Sequence, residues 1–146
     1  MAFYADLSPY SYYSRCARPG TVNVGWLEGE SDFQSGSVPA GFLRNLWEFC
    51  KVPTCALRGY HTCSLCGDPV FPLAITFEGE KLKLGNAEIR VVGQSGKLYA
   101  APNMVFHYVR DHRYQPPGEF VEAVMCGPSA GSAEYLESMR AKFLLR

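Results

Sequence analysis

The chain has 146 residues, of which 47% are hydrophobic and 14% aromatic, and its formal net charge is zero. This length suits one domain with a buried core, and this composition argues against a disordered chain. A neutral chain has no overall positive field to attract nucleic acid, so a DNA or RNA partner would need a local basic patch.

The first half of the chain predicts little regular structure before one helix. Residues 1–20 are rich in tyrosine and turn formers, which predicts an irregular arm packed by aromatic contacts. Partial alternation predicts a strand at 21–27, and an acidic segment with glycine and serine predicts a loop at 28–37. Pro39 suits a first helical turn, and apolar residues follow it at helical spacing, so we expect a helix over 39–50.

The second half predicts strands followed by helices. Two short strands and a stronger hairpin are expected at 71–77, 81–84, 87–92 and 97–101. Asn103 is expected to cap a helix over 104–111. Further helices are predicted after Pro116 and after Ser132, and the last one covers about 132–146. The predicted apolar side of that last helix consists of Tyr135, Leu136, Met139 and Phe143.

All three histidines lie around or after a close cysteine pair. Two residues separate Cys63 from Cys66, so both thiolates can reach one ion while backbone amides of the turn point at the sulfurs. His107 and His112 have a spacing that zinc modules use, and His61 precedes the cysteines. Zinc with four ligands is therefore expected from five candidates, and the choice between His61 and His112 stays open. The candidates are Cys63, Cys66, His107, His112 and His61.

We interpret this zinc as structural. The chain lacks the H-x-E sequence that zinc deaminases carry before their cysteine pair, and it lacks H-E-x-x-H. Residues 127–131 match the nucleophile motif G-x-S-x-G, but a helix is predicted before them and no histidine follows. The sequence therefore favours a non-enzymatic protein, and it leaves enzymatic activity open.

The interpretation of the remaining cysteines depends on the cellular compartment that the sequence predicts. No basic segment followed by an apolar run opens the chain, and no stretch approaches the ~18 apolar residues of a membrane span. We therefore expect a cytoplasmic protein without a membrane partner. In a reducing compartment the cysteines are predicted to be metal ligands or buried thiols rather than disulfides. Cys50 and Cys55 could form a ligand pair, but burial of Cys50 in the helix over 39–50 is preferred.

Several longer motifs extend beyond these spacings. They are Tyr4-Ala-Asp-Leu-Ser-Pro-Tyr10, Asn23-Val-Gly-Trp-Leu27, Arg58-Gly-Tyr-His-Thr-Cys-Ser-Leu-Cys66, Glu88-Ile-Arg-Val91, Tyr99-Ala-Ala-Pro102, His107-Tyr-Val109 and Tyr114-Gln-Pro-Pro117. On these motifs the chain resembles an uncharacterised family of small bacterial proteins, a domain of unknown function. The resemblance covers most of residues 4–124 and implies one whole domain, with no established activity.

Together these observations predict one α+β domain over residues 1–146. It should contain a small antiparallel sheet, three to four helices and a treble-clef-like zinc knuckle, with zinc joining the cysteine pair to the helix of His107. The helix at about 132–146 is expected either within this domain or as an appendage to it.

The favoured function is a non-enzymatic, zinc-binding protein-interaction domain, either an adaptor or an immunity-type inhibitor of a toxin or effector. The tyrosine-rich arm and the acidic loop at 28–32 are candidate contact surfaces, with ordinary packing and solvation as the alternative for each. The second hypothesis is a metal-dependent nucleic-acid-binding or processing domain that uses a basic stretch at 81–113. In that stretch two acids, Glu88 and Asp111, oppose Lys81, Lys83, Arg90, Lys97, Arg110 and Arg113.

Overall fold

The computed structural model describes residues 3–12, 18–29, 32–56 and 59–144, with side chains as far as residue 140. Predictions on Tyr13, Cys16 and the Phe143 side chain therefore lie outside what is described. The described part forms one small α+β domain, which is the fold class predicted from the sequence. In chain order its elements are β1 (Val22–Asn23), α1 (Phe42–Cys50), β2 (Leu73–Phe77), β3 (Glu80–Leu84), β4 (Glu88–Val92), β5 (Leu98–Pro102), α2 (Val105–His112), α3 (Gly118–Cys126) and α4 (Ala133–Leu144).

The larger sheet has the strand order β1-β5-β4 and forms the centre of the core. The predicted hairpin is present, because β4 and β5 pair antiparallel. The short β1 pairs parallel with β5, so this sheet is mixed at one edge. Every residue of β4 and β5 is buried. The strand predicted at 21–27 stops early, because Gly25 has a φ of 78°, which a regular strand does not accommodate.

The smaller sheet is the hairpin of β2 and β3. Its two-residue turn consists of Glu78 and Gly79, both at positive φ, which is the backbone that matches the twist of a tight hairpin. Ile75 is buried, whereas its neighbours Ala74 and Thr76 are exposed, so one face of the hairpin packs inward and the other faces solvent.

Three aromatic rings join this hairpin to the helices. Trp47 of α1, Phe77 of β2 and Phe106 of α2 lie with ring centroids 4.9–5.4 Å apart in edge-on or tilted arrangements. Such ring pairs contribute about 0.5–1.5 kcal/mol each beyond the apolar area that they bury. The cluster therefore fixes α2 against both α1 and the hairpin.

Two helix starts differ from the predictions. Helix α1 begins at Phe42 because Gly41 has a φ of 87°, which leaves Pro39 in the preceding turn. Asn103 does not cap α2, so that prediction is wrong. Its side chain instead accepts a hydrogen bond from the backbone N–H of Gly85 (2.8 Å) and donates one to Asn86 (3.2 Å).

Helix α4 packs on the core through one narrow face. The predicted Ser132 cap is confirmed, because Ser132 Oγ accepts a hydrogen bond from the backbone N–H of Tyr135 (3.1 Å). Tyr135 and Met139 are buried, and the Tyr135 hydroxyl donates to the carbonyl of Arg90 (2.8 Å). Leu136 is 51% exposed, so its predicted place on the apolar side is wrong. It lies ~100° from Tyr135 around the helix axis.

In the described ranges, none of the helices combines the length and the apolar character that crossing a membrane requires.

Candidate metal centre

The knuckle, which we define as Cys63 to Cys66, is a tight turn ahead of β2. The backbone N–H of Cys66 donates to the carbonyl of Cys63 (3.4 Å), and the N–H groups of Leu65 and Cys66 are directed at the Cys63 thiol. Gly29 packs against the outside of this turn, because a Cβ at that position would lie 2.6 Å from the Ser64 carbonyl oxygen. The sequence therefore forms the predicted knuckle, and the loop before α1 holds it in place.

Helix α2 brings two histidines to the knuckle. His107 lies in the first turn of α2, and His112 is its last residue. The chain then turns away at Arg113, which has a φ of 58°. Five positions place the two histidines ~140° apart around an ideal helix axis, so only a site at the helix end can receive both rings.

The four side chains form one cluster that could hold a metal ion, because their ligand atoms all lie within 4.8 Å of one another. The Nε2 atoms of His107 and His112 are 3.2 Å apart. Cys66 Sγ lies 3.3 Å from the first of these nitrogens and 3.4 Å from the second. Cys63 Sγ lies 3.5 Å from His112 Nε2.

These four separations match four of the six edges of a tetrahedron around zinc. Bond lengths of about 2.3 Å to sulfur and 2.0–2.1 Å to nitrogen place sulfur and nitrogen roughly 3.5 Å apart, and two nitrogens roughly 3.3 Å apart. Imidazole and thiolate together are also the donors that suit zinc, since softer sulfur ligands disfavour magnesium and calcium. The cluster therefore has the donor set for a metal ion that accepts both thiolate and imidazole ligands, and its four known separations fit zinc.

A second layer of hydrogen bonds orients His107. Its Nδ1 lies 2.8 Å from Asp111 Oδ2, and the Arg110 guanidinium donates to both oxygens of the same carboxylate. Partial burial would raise the pKa of Asp111, but the hydrogen bonds from Arg110 and His107 outweigh it and lower that pKa. Asp111 thus stays ionised, and it holds the His107 ring with Nε2 toward the sulfurs.

Burial keeps the cluster largely away from water. Cys63 is 2% exposed and His107 is 5% exposed, whereas Cys66 and His112 are half-buried. Burial raises the pKa of the Cys63 thiol to about 11, against the opposing effect of the Leu65 and Cys66 N–H groups. Burial also lowers the pKa of His107, and the hydrogen bond to Asp111 opposes that change. The neutral imidazole of His107 is the form that binds metals.

The fifth candidate, His61, lies outside the cluster. Its backbone N–H donates to the carbonyl of Gly85 (2.9 Å), and a Cβ on Gly85 would approach the His61 carbonyl oxygen to 2.5 Å. The Asn103 side chain accepts a hydrogen bond from the Gly85 N–H. The contact between His61 and Gly85 therefore links the segment before the knuckle to the start of α2. His61 thus contributes to the frame of the site through its backbone.

The other described cysteines divide into three cases. Cys50 is buried with a free thiol, as preferred from the sequence, and burial raises its pKa to about 12. Cys126 is free and exposed. Cys55 is disulfide-bonded, so the interpretation of the cysteines as metal ligands or buried thiols rather than disulfides is wrong for this residue. Spacing alone does not determine disulfide pairing, because that depends on which segments the fold brings together.

A family model described as "Domain of unknown function (DUF7919)" matches residues 2–125. The chain belongs to this family. The matched region contains all four residues of the cluster and ends before α4, so the metal centre lies within the family domain. No curated protein and no solved structure matches the chain.

Sequence reasoning missed the residues that support the cluster. Asp111 stands four positions after His107, the spacing that places two side chains on one helix face, so it could have been found. Gly29 and Gly85 gave no such signal, because their close contacts join segments far apart in sequence. The G-x-S-x-G match at 127–131 follows helix α3, which is not the strand-to-helix turn that a nucleophile elbow needs.

Proposed function

We propose that this chain is a non-enzymatic interaction domain whose fold is closed by a structural zinc ion on Cys63, Cys66, His107 and His112. The observation that carries the proposal is the close spacing of the four ligand atoms, since four of their six separations are 3.2–3.5 Å and all lie within 4.8 Å. Four protein ligands fill the coordination that zinc prefers in structural sites, and they leave no position for a reacting water.

The position of the cluster supports a structural role. The knuckle and α2 are separated by about forty residues that include both hairpins. Closing such a loop costs entropy that grows only as about (3/2)RT ln n, whereas a structural zinc contributes roughly 10–16 kcal/mol in small fingers. A zinc ion at this point would stabilise the packing of α2 against the segment that precedes β2.

Elemental analysis tests whether zinc is bound, and thermal unfolding with and without a strong chelator tests whether the metal stabilises the fold. We expect one zinc per chain, and a lower melting temperature after chelation. The double variant Cys63→Ser/Cys66→Ser should lose the zinc and melt at the same temperature with or without chelator. Cys126→Ser is the matched control, because it removes an exposed free thiol outside the cluster. Wild-type protein that is metal-free as purified and unaffected by the double substitution would contradict the proposal.

The proposal also includes an interaction role, in which the chain acts as an adaptor or as an immunity-type inhibitor of a toxin or effector. Tyr4 and Tyr12 of the N-terminal arm pack around Trp26 with ring centroids 5.4–5.8 Å apart, so these tyrosines serve the core. The most exposed large apolar side chains lie elsewhere, at Val70 (65% exposed) and Phe71 (64% exposed) beyond the knuckle. Cross-linking in native cells should yield a stoichiometric protein partner, and failure to find one removes support for this role.

A nucleic-acid function is the second candidate, and one observation favours it. Lys81 and Lys83 lie on the exposed face of the β2–β3 hairpin and form no ion pair within the described residues. Other cations of the basic stretch are already compensated, since Arg90 pairs with Glu88, Lys97 with Glu119 and Arg110 with Asp111. Salt-dependent retention on a nucleic-acid column, lost in Lys81→Glu/Lys83→Glu, would support this candidate.

The cytoplasmic location is also part of the proposal, and it depends on the thiols. Two thiolate ligands need a compartment that keeps cysteine reduced, whereas the disulfide at Cys55 is favoured by oxidising compartments. Alkylation of the chain in intact cells, followed by non-reducing mass spectrometry, decides between a reducing and an oxidising compartment. Recovery of Cys63 and Cys66 as reduced, metal-protected residues is the result expected for the cytoplasm.

A further inference from the structure

A groove of about 750 Å³ runs beside α3, apart from the metal centre. One wall is the start of α3, with Pro117, Gly118 and Val121. The opposite wall comes from two segments far away in sequence, the N-terminal arm at Asp6 and the loop at Gln34. Its volume lies within the range of about 300–1,000 Å³ that is typical of ligand sites in proteins.

Hydrogen bonds fix the walls of the groove before any ligand binds. The backbone N–H of Gln115 donates to the carbonyl of Gln34 (2.8 Å), and the Gln115 side chain donates to the carbonyl of Ser37 (3.0 Å). Gly36 lies so close that a Cβ there would approach Gln115 Oε1 to 2.6 Å. A ligand would therefore meet a preformed surface, which lowers the entropy cost of binding.

The lining combines an apolar floor with a negative rim. Prolines, Val121 and Met125 supply the apolar surface, and the two ionisable lining residues are both acids, Asp6 and Glu122. The Asp6 carboxylate accepts hydrogen bonds from the Gly25 N–H (2.9 Å) and the Tyr114 hydroxyl (2.7 Å), which are neutral donors. Glu122 is exposed and forms no ion pair in the described part of the chain.

This charge pattern selects the class of ligand. Two carboxylates without a cation among the lining residues repel phosphate and carboxylate groups and attract Lys or Arg side chains. The N–H of Gly118, in the first turn of α3, has no partner inside the helix and can donate to a peptide carbonyl. An open groove with apolar area, acidic rim and a backbone donor suits an extended polypeptide better than a compact small molecule.

We propose that this groove binds an extended segment of a partner protein in which a large apolar side chain stands next to Lys or Arg. The proposal deepens the interaction role argued above and names the chemistry of the partner. It does not depend on the identity of the metal, because the groove and the cluster share no residue.

The test is an unbiased selection of peptides on the full-length, zinc-loaded chain. A displayed library of random linear peptides is panned on the immobilised protein, and the enriched sequences are synthesised for affinity measurements. We expect net basic peptides that carry at least one large apolar residue. Glu122→Lys should weaken their binding about fivefold to tenfold, since it replaces an attraction by a repulsion. Glu137→Lys on α4 is the matched control, an exposed charge reversal outside the groove that should leave binding unchanged.

Three outcomes overturn the proposal. They are a selection without enrichment, enriched peptides that are neutral or acidic, and equal affinities for wild type and Glu122→Lys. Melting temperature and zinc content are measured for each variant, so loss of binding through unfolding is recognised. A chain that binds basic peptides at this groove but contains no zinc contradicts the metal proposal alone.

Discussion

His107 Nδ1 lies 2.8 Å from Asp111 Oδ2, one helical turn further along α2. The carboxylate accepts a hydrogen bond from the Nδ1–H group, so the lone pair of the neutral ring is on Nε2, the atom that faces Cys66 and His112. A single helix therefore supplies both a candidate ligand and the group that orients it. This arrangement needs no long-range contact, and it forms as soon as α2 does.

Removing the orienting carboxylate should weaken metal binding without abolishing it. We expect Asp111→Ala to lower zinc affinity by about 10–100-fold, the usual effect of losing a partner of a metal-bound histidine. Competition with a chromophoric chelator measures the affinity. Glu137→Ala, an exposed carboxylate on α4, is the control and should leave affinity unchanged. An Asp111→Ala protein with wild-type affinity would show that the hydrogen bond does not act on the metal.

The two uncertain histidines should behave differently when they are replaced. His112→Ala removes a member of the cluster, so zinc per chain should fall and the affinity should drop by several orders of magnitude. His61→Ala removes a ring outside the cluster and should retain one zinc per chain. Zinc content after dialysis against a weak chelator separates the two results. The reverse pattern would mean that His61 is the fourth ligand.

The knuckle and the helix of His107 could be predicted from sequence because both are local patterns. The choice of His112 over His61 could not, because it depends on where α2 ends relative to the knuckle. That relation is set by the left-handed turn at Arg113 and by the contact between Gly85 and His61. Sequence spacing carries no information on either distance.

Asn103 shows a second limit of local reasoning. Its position before α2 is typical of a capping residue, and a single sequence offers no reason to expect otherwise. In the fold, the Gly85 N–H and the Asn86 side chain are closer partners, and they use both ends of its amide. A tertiary contact thus replaced the local one, and the same residue joins the β3–β4 connection to α2.

Gly85→Ala should destabilise the domain more than Gly79→Ala. Both glycines have positive φ, so alanine costs about 1 kcal/mol at each. A Cβ at Gly79 meets nothing within 4 Å, whereas one at Gly85 lies 2.5 Å from the His61 carbonyl oxygen. We therefore expect a further cost of about 1–3 kcal/mol at Gly85 in the free energy of unfolding by urea. Equal losses in the two variants would contradict the close contact.

The buried pair of Glu88 and Arg90 should give the domain a specific pH dependence. The two side chains are 1% and 2% exposed, with Oε1 and Nη1 2.8 Å apart, and the Tyr10 hydroxyl donates to both carboxylate oxygens. Burial raises the pKa of Glu88 above its ordinary 4.5, although Arg90 and Tyr10 oppose this effect. The folded state therefore holds the Glu88 proton more tightly than the unfolded chain does.

It follows that the stabilisation by Glu88 is fully present below pH 4.5 and decreases as the pH rises through its raised pKa. The difference in unfolding free energy between wild type and Glu88→Gln should therefore decrease as the pH rises, as measured by urea denaturation across the acidic range. A difference that grows with rising pH in the acidic window would have the wrong sign.

Thiol labelling should report the metal centre residue by residue. Cys126 is exposed and should react with iodoacetamide at once, whereas Cys50 is buried with a pKa raised to about 12 and should react only after unfolding. Cys63 and Cys66 should be protected in the zinc-loaded chain and become reactive after chelation, Cys66 before the more deeply buried Cys63. Peptide-level mass spectrometry follows each residue separately. Rapid labelling of Cys66 in the zinc-loaded protein would place it outside the coordination shell, because a thiolate bound to zinc is a much poorer nucleophile than a free one.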